Sequence, residues 1–354
     1  MNNSADRSQS RNAVAYRSLS RHRLGIVAIA IVVLLAAVGI DLVTGPANLS
    51  WGDLLTAVLS PANADPVHRT IVWSFRLPSA LMAIVVGASL GIAGAQMQTI
   101  LNNPLASPFT LGVSASASFG AALVLVFGSA IAWLPVAWMV PISAFAFALL
   151  SAMLIYSLGQ MRGGATESII VGGVALHFLF SAGVAFLQFI AADDALHAIV
   201  FWIFGTLEGA TWQNTAIVAA VFVIAMVLLL RDAWQLTSLR LGDQHARSLG
   251  IDVGRIRLRT LVLVSVVTAT AVCFTGAIGF VGLVAPHAAR TLVGEDQRYF
   301  APVSALIGAI VVSLAAVVSK VLVPGTTFPI GIVTAALGAP FLAAIALRAR
   351  RTYW

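Results

Sequence analysis

Apolar residues fill this chain in long blocks, separated by short clusters of Gly, Pro, Asn and charged residues. A block of about 20 apolar residues is what an α-helix needs to cross a hydrocarbon core of roughly 30 Å. Ten blocks are read this way: 24–43, 77–99, 109–129, 135–158, 166–190, 213–231, 257–277, 284–294, 301–322 and 328–347. The eighth is too short to cross alone and reads as a half-helix. A further apolar stretch, 197–206, is flanked by Asp193, Asp194 and Glu208 and reads as an interfacial or re-entrant helix. The largest internal polar segment, 232–256, carries an amphipathic helical pattern. The expected architecture is an all-α polytopic membrane protein of about ten transmembrane helices. Residues 1–23 form a tail, 24–350 a single membrane domain, and 351–354 a second tail.

Composition narrows the class further. Of 354 residues, 60% are apolar and 9% charged, where soluble domains carry about 25% charged residues. A water-soluble enzyme could not cover its surface so sparingly, and a mean hydropathy of +0.97 excludes a disordered chain. The basic stretch Arg7–Arg23 before Leu24–Ile40 resembles a signal peptide. That apolar run is as long as a full span and shows no clear cleavage pattern, so it reads as a retained first helix.

The net charge of +7 would suggest nucleic acid in a soluble chain; in a membrane protein it reflects the excess of Lys and Arg in cytoplasmic loops. With both termini inside, seventeen of the 20 basic residues fall on the cytoplasmic side. Only Arg69, Arg76 and Lys320 fall outside. No nucleic-acid partner is expected. The single cysteine, Cys273, lies in an apolar run and reads as a small buried side chain.

The chemistry that is missing is informative. A P-loop needs Gly-Lys-Ser/Thr to cradle phosphates, and the one lysine, Lys320, follows Ser319 in an apolar helix. Ion-coupled carriers place carboxylates within the membrane; here Asp41, Glu167, Asp193 and Asp194 lie only near span ends. No metal-ligand spacing and no activated nucleophile is evident, so no cofactor is expected on this chain. The sequence reads as a pathway powered from elsewhere, against a carrier or channel acting alone or a scaffold without transport. Gly87, Gly91 and Gly94 recur at helical spacing, as close helix packing requires. Gly94-Ala95 precedes Pro104 by the interval at which Gly276-Ala277 precedes Pro286, an echo that an inverted repeat would produce.

The segment Leu239 to Gly250 alternates charged and apolar residues between two glycines. A solvated loop is one reading. Leu241, Ala246 and Leu249 on one helical face suggest instead a short helix that docks a cytoplasmic partner. This segment resembles the coupling loop of the FecCD-type permeases of ABC importers for ferric siderophores, heme and cobalamin. Other motifs agree in order: Arg76-Leu77-Pro78; Asn103-Pro104-Leu105-Ala106-Ser107-Pro108 with Leu111-Gly112-Val113-Ser114; Gly276 through His287; Pro329 through Thr334; and Gly338-Ala339-Pro340. The resemblance spans about 24–350.

It implies a type II ABC importer permease fold working as a homodimer, or as a heterodimer with a related permease, in the bacterial inner membrane. Two cytoplasmic ATPase subunits using ATP and Mg, and an extracytoplasmic binding protein, would be its partners. Leu241, Gly242, Asp243, Ala246, Arg247, Leu249 and Gly250 would couple to the ATPase, and Arg76 and Lys320 would dock the binding protein, unless they merely snorkel. Ala316 and Thr327 stand where the family often has acids, which loosens any docking geometry. The turn Asn103-Pro104-Leu105, with Ala165 and Thr166, would form the cytoplasmic gate, unless it is an ordinary helix-breaking turn. His177 would face the pathway or pack as a hydrogen-bonded histidine.

Overall fold

A computed structural model describes residues 2–47, 49–128, 135–161, 166–323 and 326–349. Helices occur wherever the apolar blocks occur. They are α1 (Asn2–Val43), α2 (Trp51–Leu59), α3 (Pro66–Thr70), α4 (Leu77–Ile100), α5 (Val113–Phe127), α6 (Val136–Met161), α7 (Thr166–Ile190) and α8 (Asp193–Phe204). There follow α9 (Trp212–Arg231), α10 (Ala233–Leu239), α11 (Asp243–Ser248), α12 (Val253–Thr275), α13 (Val281–Val293), α14 (Gln297–Val321) and α15 (Ile330–Ala349). A wider π-helical turn, Ile71–Arg76, joins α3 to α4.

Seven stretches among the described residues are long and apolar enough to cross a membrane: His22–Val43, Pro66–Ile100, Val136–Gly159, Glu167–Ile190, Trp212–Arg231, Val253–Thr275 and Gln297–Val321. The expected spans at 109–129, 284–294 and 328–347 appear as the shorter or less uniformly apolar helices α5, α13 and α15. The apolar stretch at 197–206 is the short helix α8, with Asp193 and Asp194 in its first turn. Helix α1 continues back to Asn2, through most of the expected tail. Arg162, Ala165, Arg350 and the tail 351–354 lie outside the described residues.

Polar residues set the helix ends. Ser50 and Asp53 form a reciprocal capping box on α2, which satisfies two otherwise orphaned backbone donors. Asp252 and Asp296 cap α12 and α14 through bonds to Arg255 N and Arg298 N. Gly276, at φ +71°, terminates α12. Its counterpart in the sequence echo, Gly94, sits inside α4 instead. Likewise Pro104 lies in a turn, whereas Pro286 lies within α13. The echo therefore marks no pair of equivalent local structures.

Helix α4 is the centre of the bundle. It is buried along most of its length and packs on α14, α13, α12 and α9. Its small-residue stripe is the reason. A Cβ on Gly87 would overlap the carbonyl of Gly308, one on Gly91 that of Ser304, and one on Gly94 that of Gly282. Backbone therefore meets backbone, as close helix approach in a bilayer demands. Helices α5, α6 and α7 form a second group, joined by Phe119, Phe147 and Phe180. Helix α12 bridges the two groups.

The bundle has two polar ends. At one, Arg23 of α1 lies 3.4 Å from Asp296 and stacks 4.9 Å above the Tyr299 ring. The α10–α11 segment lies at this same end. At the other, Trp212 donates to the Trp73 carbonyl at 2.8 Å, and Trp73 to that of Ala57 at 2.9 Å. Interfacial tryptophans of this kind mark a membrane boundary.

Candidate functional site

Helix α4 stops at Ile100, and the next five residues fold back on themselves. Asn102 takes a left-handed φ of 45°, uncommon for a residue with a side chain. Asn103 Oδ1 accepts from Leu105 N at 2.9 Å, closing a tight turn whose tip exposes Pro104 and Leu105. Of the other half of the expected gate, Thr166 opens α7, and Ala165 lies outside the described residues.

The expected docking segment folds into α10 and α11 around Gly242 and Gly250, at φ +102° and +80°. Leu241 and Leu249 are exposed, as are Gln244, His245 and Arg247, but Ala246 is fully buried in the core. This corrects the one-face expectation. Leu241 precedes the helix, and Ala246 anchors α11 to the bundle while the leucines face away. Asp243 also turns inward, to Arg257.

Two arginines outside the expected set join this segment to α4. Arg257 Nε donates to the Ile100 carbonyl at 3.0 Å, and its Nη2 reaches both Asp243 oxygens at 3.1 and 3.3 Å. Arg240 donates to Asn102 Oδ1 at 3.0 Å and grips Glu295 with two nitrogens, Nε at 3.1 Å and Nη2 in a short contact. Glu295 also lies 2.9 Å from Arg290 Nε, and Arg290 donates to Gln98 of α4 at 2.9 Å. Deeper, Gln297 donates to Thr99 at 2.8 Å and accepts from Gln96 at 2.9 Å. The sequence signal for these residues is only that each charge sits beside an apolar block, where it must find a partner.

Hydrogen bonds from Arg240, assisted by the positive charges of Arg240 and Arg290, outweigh partial burial and hold the Glu295 carboxyl below its ordinary value near 4.5. A carboxylate with a depressed folded value contributes stability above its unfolded value and loses it as pH falls through the folded value. The thermal midpoint of the purified protein should therefore be insensitive to this group at neutral pH and fall once the pH drops below about 4.5. Glu295→Gln should flatten part of that fall, and an unaltered acid profile would count against the assignment.

At the opposite end, the two expected docking cations are already engaged. Arg76 is 7% exposed; it donates to the carbonyls of Leu42 and Val43 at 2.5 and 2.7 Å and to that of Ala47 in a shorter contact. The first two are carbonyls that the end of α1 would otherwise leave bare, and the third belongs to the loop that follows. Lys320 pairs with Asp41 at 2.8 Å, and the carboxylate is 1% exposed. Neither cation is presented outward, because each satisfies the end of α1.

Between α5, α7, α8, α15 and the 277–280 segment that precedes α13 lies a cavity of about 400 Å³. Phe109, Phe204 and Phe280 contribute aromatic faces to it, and Ser114, Ser118 and Ser181 hydroxyls. His177 lines it too, half-buried, with Nδ1 unpartnered and its ring 6.4 Å from that of Phe109. The packing alternative for His177, a hydrogen-bonded ring, is not seen at that atom. No charged side chain lines this cavity among the described residues, and they contain no cluster of metal-ligating groups.

The model of the FecCD transport family matches residues 30–348 of this chain. The chain belongs to the FecCD transport family. FecCD chains are transport permease subunits and not enzymes; the ATPase is a separate subunit. This FecCD chain is 37% identical to the cobalamin import system permease BtuC of Halobacterium salinarum, over 83% of its length and 78% of the relative's. It is 32% identical to the hemin transport system permease HmuU of Yersinia pestis, over 87% and 92%. A solved inward-facing metal-chelate type ABC transporter superposes with a TM-score of 0.80 at 29% identity, covering 93% of this chain and 99% of that one. The FecCD chain is accordingly a multi-pass membrane protein.

Proposed function

We propose that this chain is the membrane permease of a type II ABC importer that moves an iron chelate inward, a ferric siderophore before heme, with cobalamin third. The carrying observation is the uncharged cavity. A bare hard cation needs several oxygen ligands, usually carboxylates, and among the described residues the walls offer serine hydroxyls but no carboxylate. A chelate brings its own ligands and needs only surface contacts, which Phe109, Phe204, Phe280 and the serines can give. His177, with a free Nδ1, is the wall imidazole among the described residues and would contact the chelated metal or its ligand.

In this reading ten helices span a bacterial inner membrane, the short α5, α13 and α15 included, with both termini in the cytoplasm. The chain works as a dimer, with itself or with a related permease. Two ATPase subunits using ATP and Mg grip α11 and its flanks through the exposed Leu241, Arg247 and Leu249, while a binding protein delivers cargo from outside. This chain binds no cofactor of its own.

Proteoliposomes carrying the permease with its ATPase and binding protein should accumulate radioiron supplied as a chelate, only with ATP inside, and take up no unchelated ferric ion. Deleting 239–250 should abolish accumulation. Chelate uptake that survives the deletion would make the protein a carrier acting alone, and uptake of unchelated ion would remove the chelate reading.

A further inference from the structure

We propose that Arg257 and Arg240 are positioning residues that transmit movement of the coupling segment to the Asn103–Pro104–Leu105 turn. The inference rests on the reading of the chain as an ATPase-driven permease. Its geometry is that of two short links side by side. Asp243 is the first residue of α11, and Ile100 the last of α4; the single guanidinium of Arg257 holds both. Arg240 lies between α10 and α11, and its guanidinium holds Asn102. Residues 100 and 102 are thus fixed from the coupling side immediately before the turn begins.

Three features make the links stiff. Bonds from a guanidinium to a carboxylate are short, charge-assisted and directional. The Arg257 and Arg240 side chains are themselves only 17% and 16% exposed, which limits the orientations they can take. The turn itself is closed by the Asn103–Leu105 bond, and the left-handed Asn102 is held in a sparsely populated conformation that the Arg240 bond over-determines. When α11 shifts, the Asp243–Arg257 pair must break or Ile100 must follow. Glu295, shared by Arg240 and Arg290, extends the same connection to α13.

The test uses the assembled permease–ATPase complex in nanodiscs, with Leu105→Cys as a reporter. Cys273 is buried and stays silent to a water-soluble maleimide. The labelling rate is compared with and without ATP plus vanadate, alongside co-purification of the ATPase and basal ATP hydrolysis. With both arginines present, nucleotide should change the rate severalfold. Arg257→Ala should retain the ATPase and its basal hydrolysis while the nucleotide response shrinks by about twofold or more, up to its complete loss, as expected for a residue along a coupling network. Should the alanine variant fail to fold, Arg257→Gln serves, since it keeps a donor for Ile100 and loses the charge for Asp243. Arg240→Gln should act in the same direction.

An undiminished response in the folded variants would overturn the proposal. Absence of ATPase binding, or of any nucleotide response with both arginines intact, would overturn it together with the permease reading on which it rests.

Discussion

Lys320→Ala is expected to cost about 3–5 kcal/mol, the range seen when one partner of a buried ion pair is removed. The reason lies with the residue left behind. Asp41 is 1% exposed, its second oxygen has no hydrogen-bond partner, and Lys320 supplies its 2.8 Å bond. The purified variant should unfold well below the parent, or be lost to degradation during expression. The double replacement Asp41→Leu with Lys320→Met should recover most of the loss, because an apolar pair of similar volume commonly matches a buried ion pair. A thermal-unfolding cycle over the four proteins measures this. Equal destabilisation by the single and the double replacement would show that the pair, and not the stranded carboxylate, carries the effect.

Gly94→Val is the second large effect. Any Cβ at position 94 overlaps the Gly282 carbonyl and lies 2.6 Å from its Cα. The obstacle is backbone and cannot swing aside like a side chain. Overpacking a core costs typically about 1–3 kcal/mol and sometimes more, and α4 with α13 should stand at the upper end because both lie at the centre. Valine should prevent assembly of a folded bundle, and alanine should lower the thermal midpoint strongly. Gly25→Ala is the control: nothing lies within 4 Å of its added Cβ, and alanine is the better helix former. Similar midpoints for Gly94→Ala and Gly25→Ala would contradict the close approach of α4 and α13.

Most of the helix plan was legible because lipid-crossing helices must be apolar throughout, and blocks such as 166–190 carry that signature whole. Helix α13 was legible as a short helix because its apolar run is short. Packing partners were less readable. Gly87, Gly91 and Gly94 announced a close contact, but not that the backbones of Ser304, Gly308 and Gly282 would fill it. Among site residues, Arg76 and Lys320 stood out as exceptions to the charge asymmetry. Their roles were not readable, since a charge at a span end must be satisfied but its pattern does not say by what; Asp41 lies 279 residues from Lys320. Ala246 shows a similar limit. Periodicity placed it with Leu241 and Leu249, but α11 begins only at Asp243, so the three never share a helical face.

The fastening of α1 has a further consequence. Asp41 ties it to α14 at one end and Arg23 ties it to Asp296 and Tyr299 at the other. These anchors stand five turns apart, about 27 Å along a helix axis, close to the roughly 30 Å of a hydrocarbon core. Helix α1 faces lipid over most of its surface, yet it cannot slide or tilt independently of α14. It acts as a fixed ruler for the bilayer. In a thicker or thinner membrane the mismatch must fall on the lipids or on tilting of the α1–α14 pair as one body, so activity across lipids of graded chain length should peak where the bilayer matches that ruler.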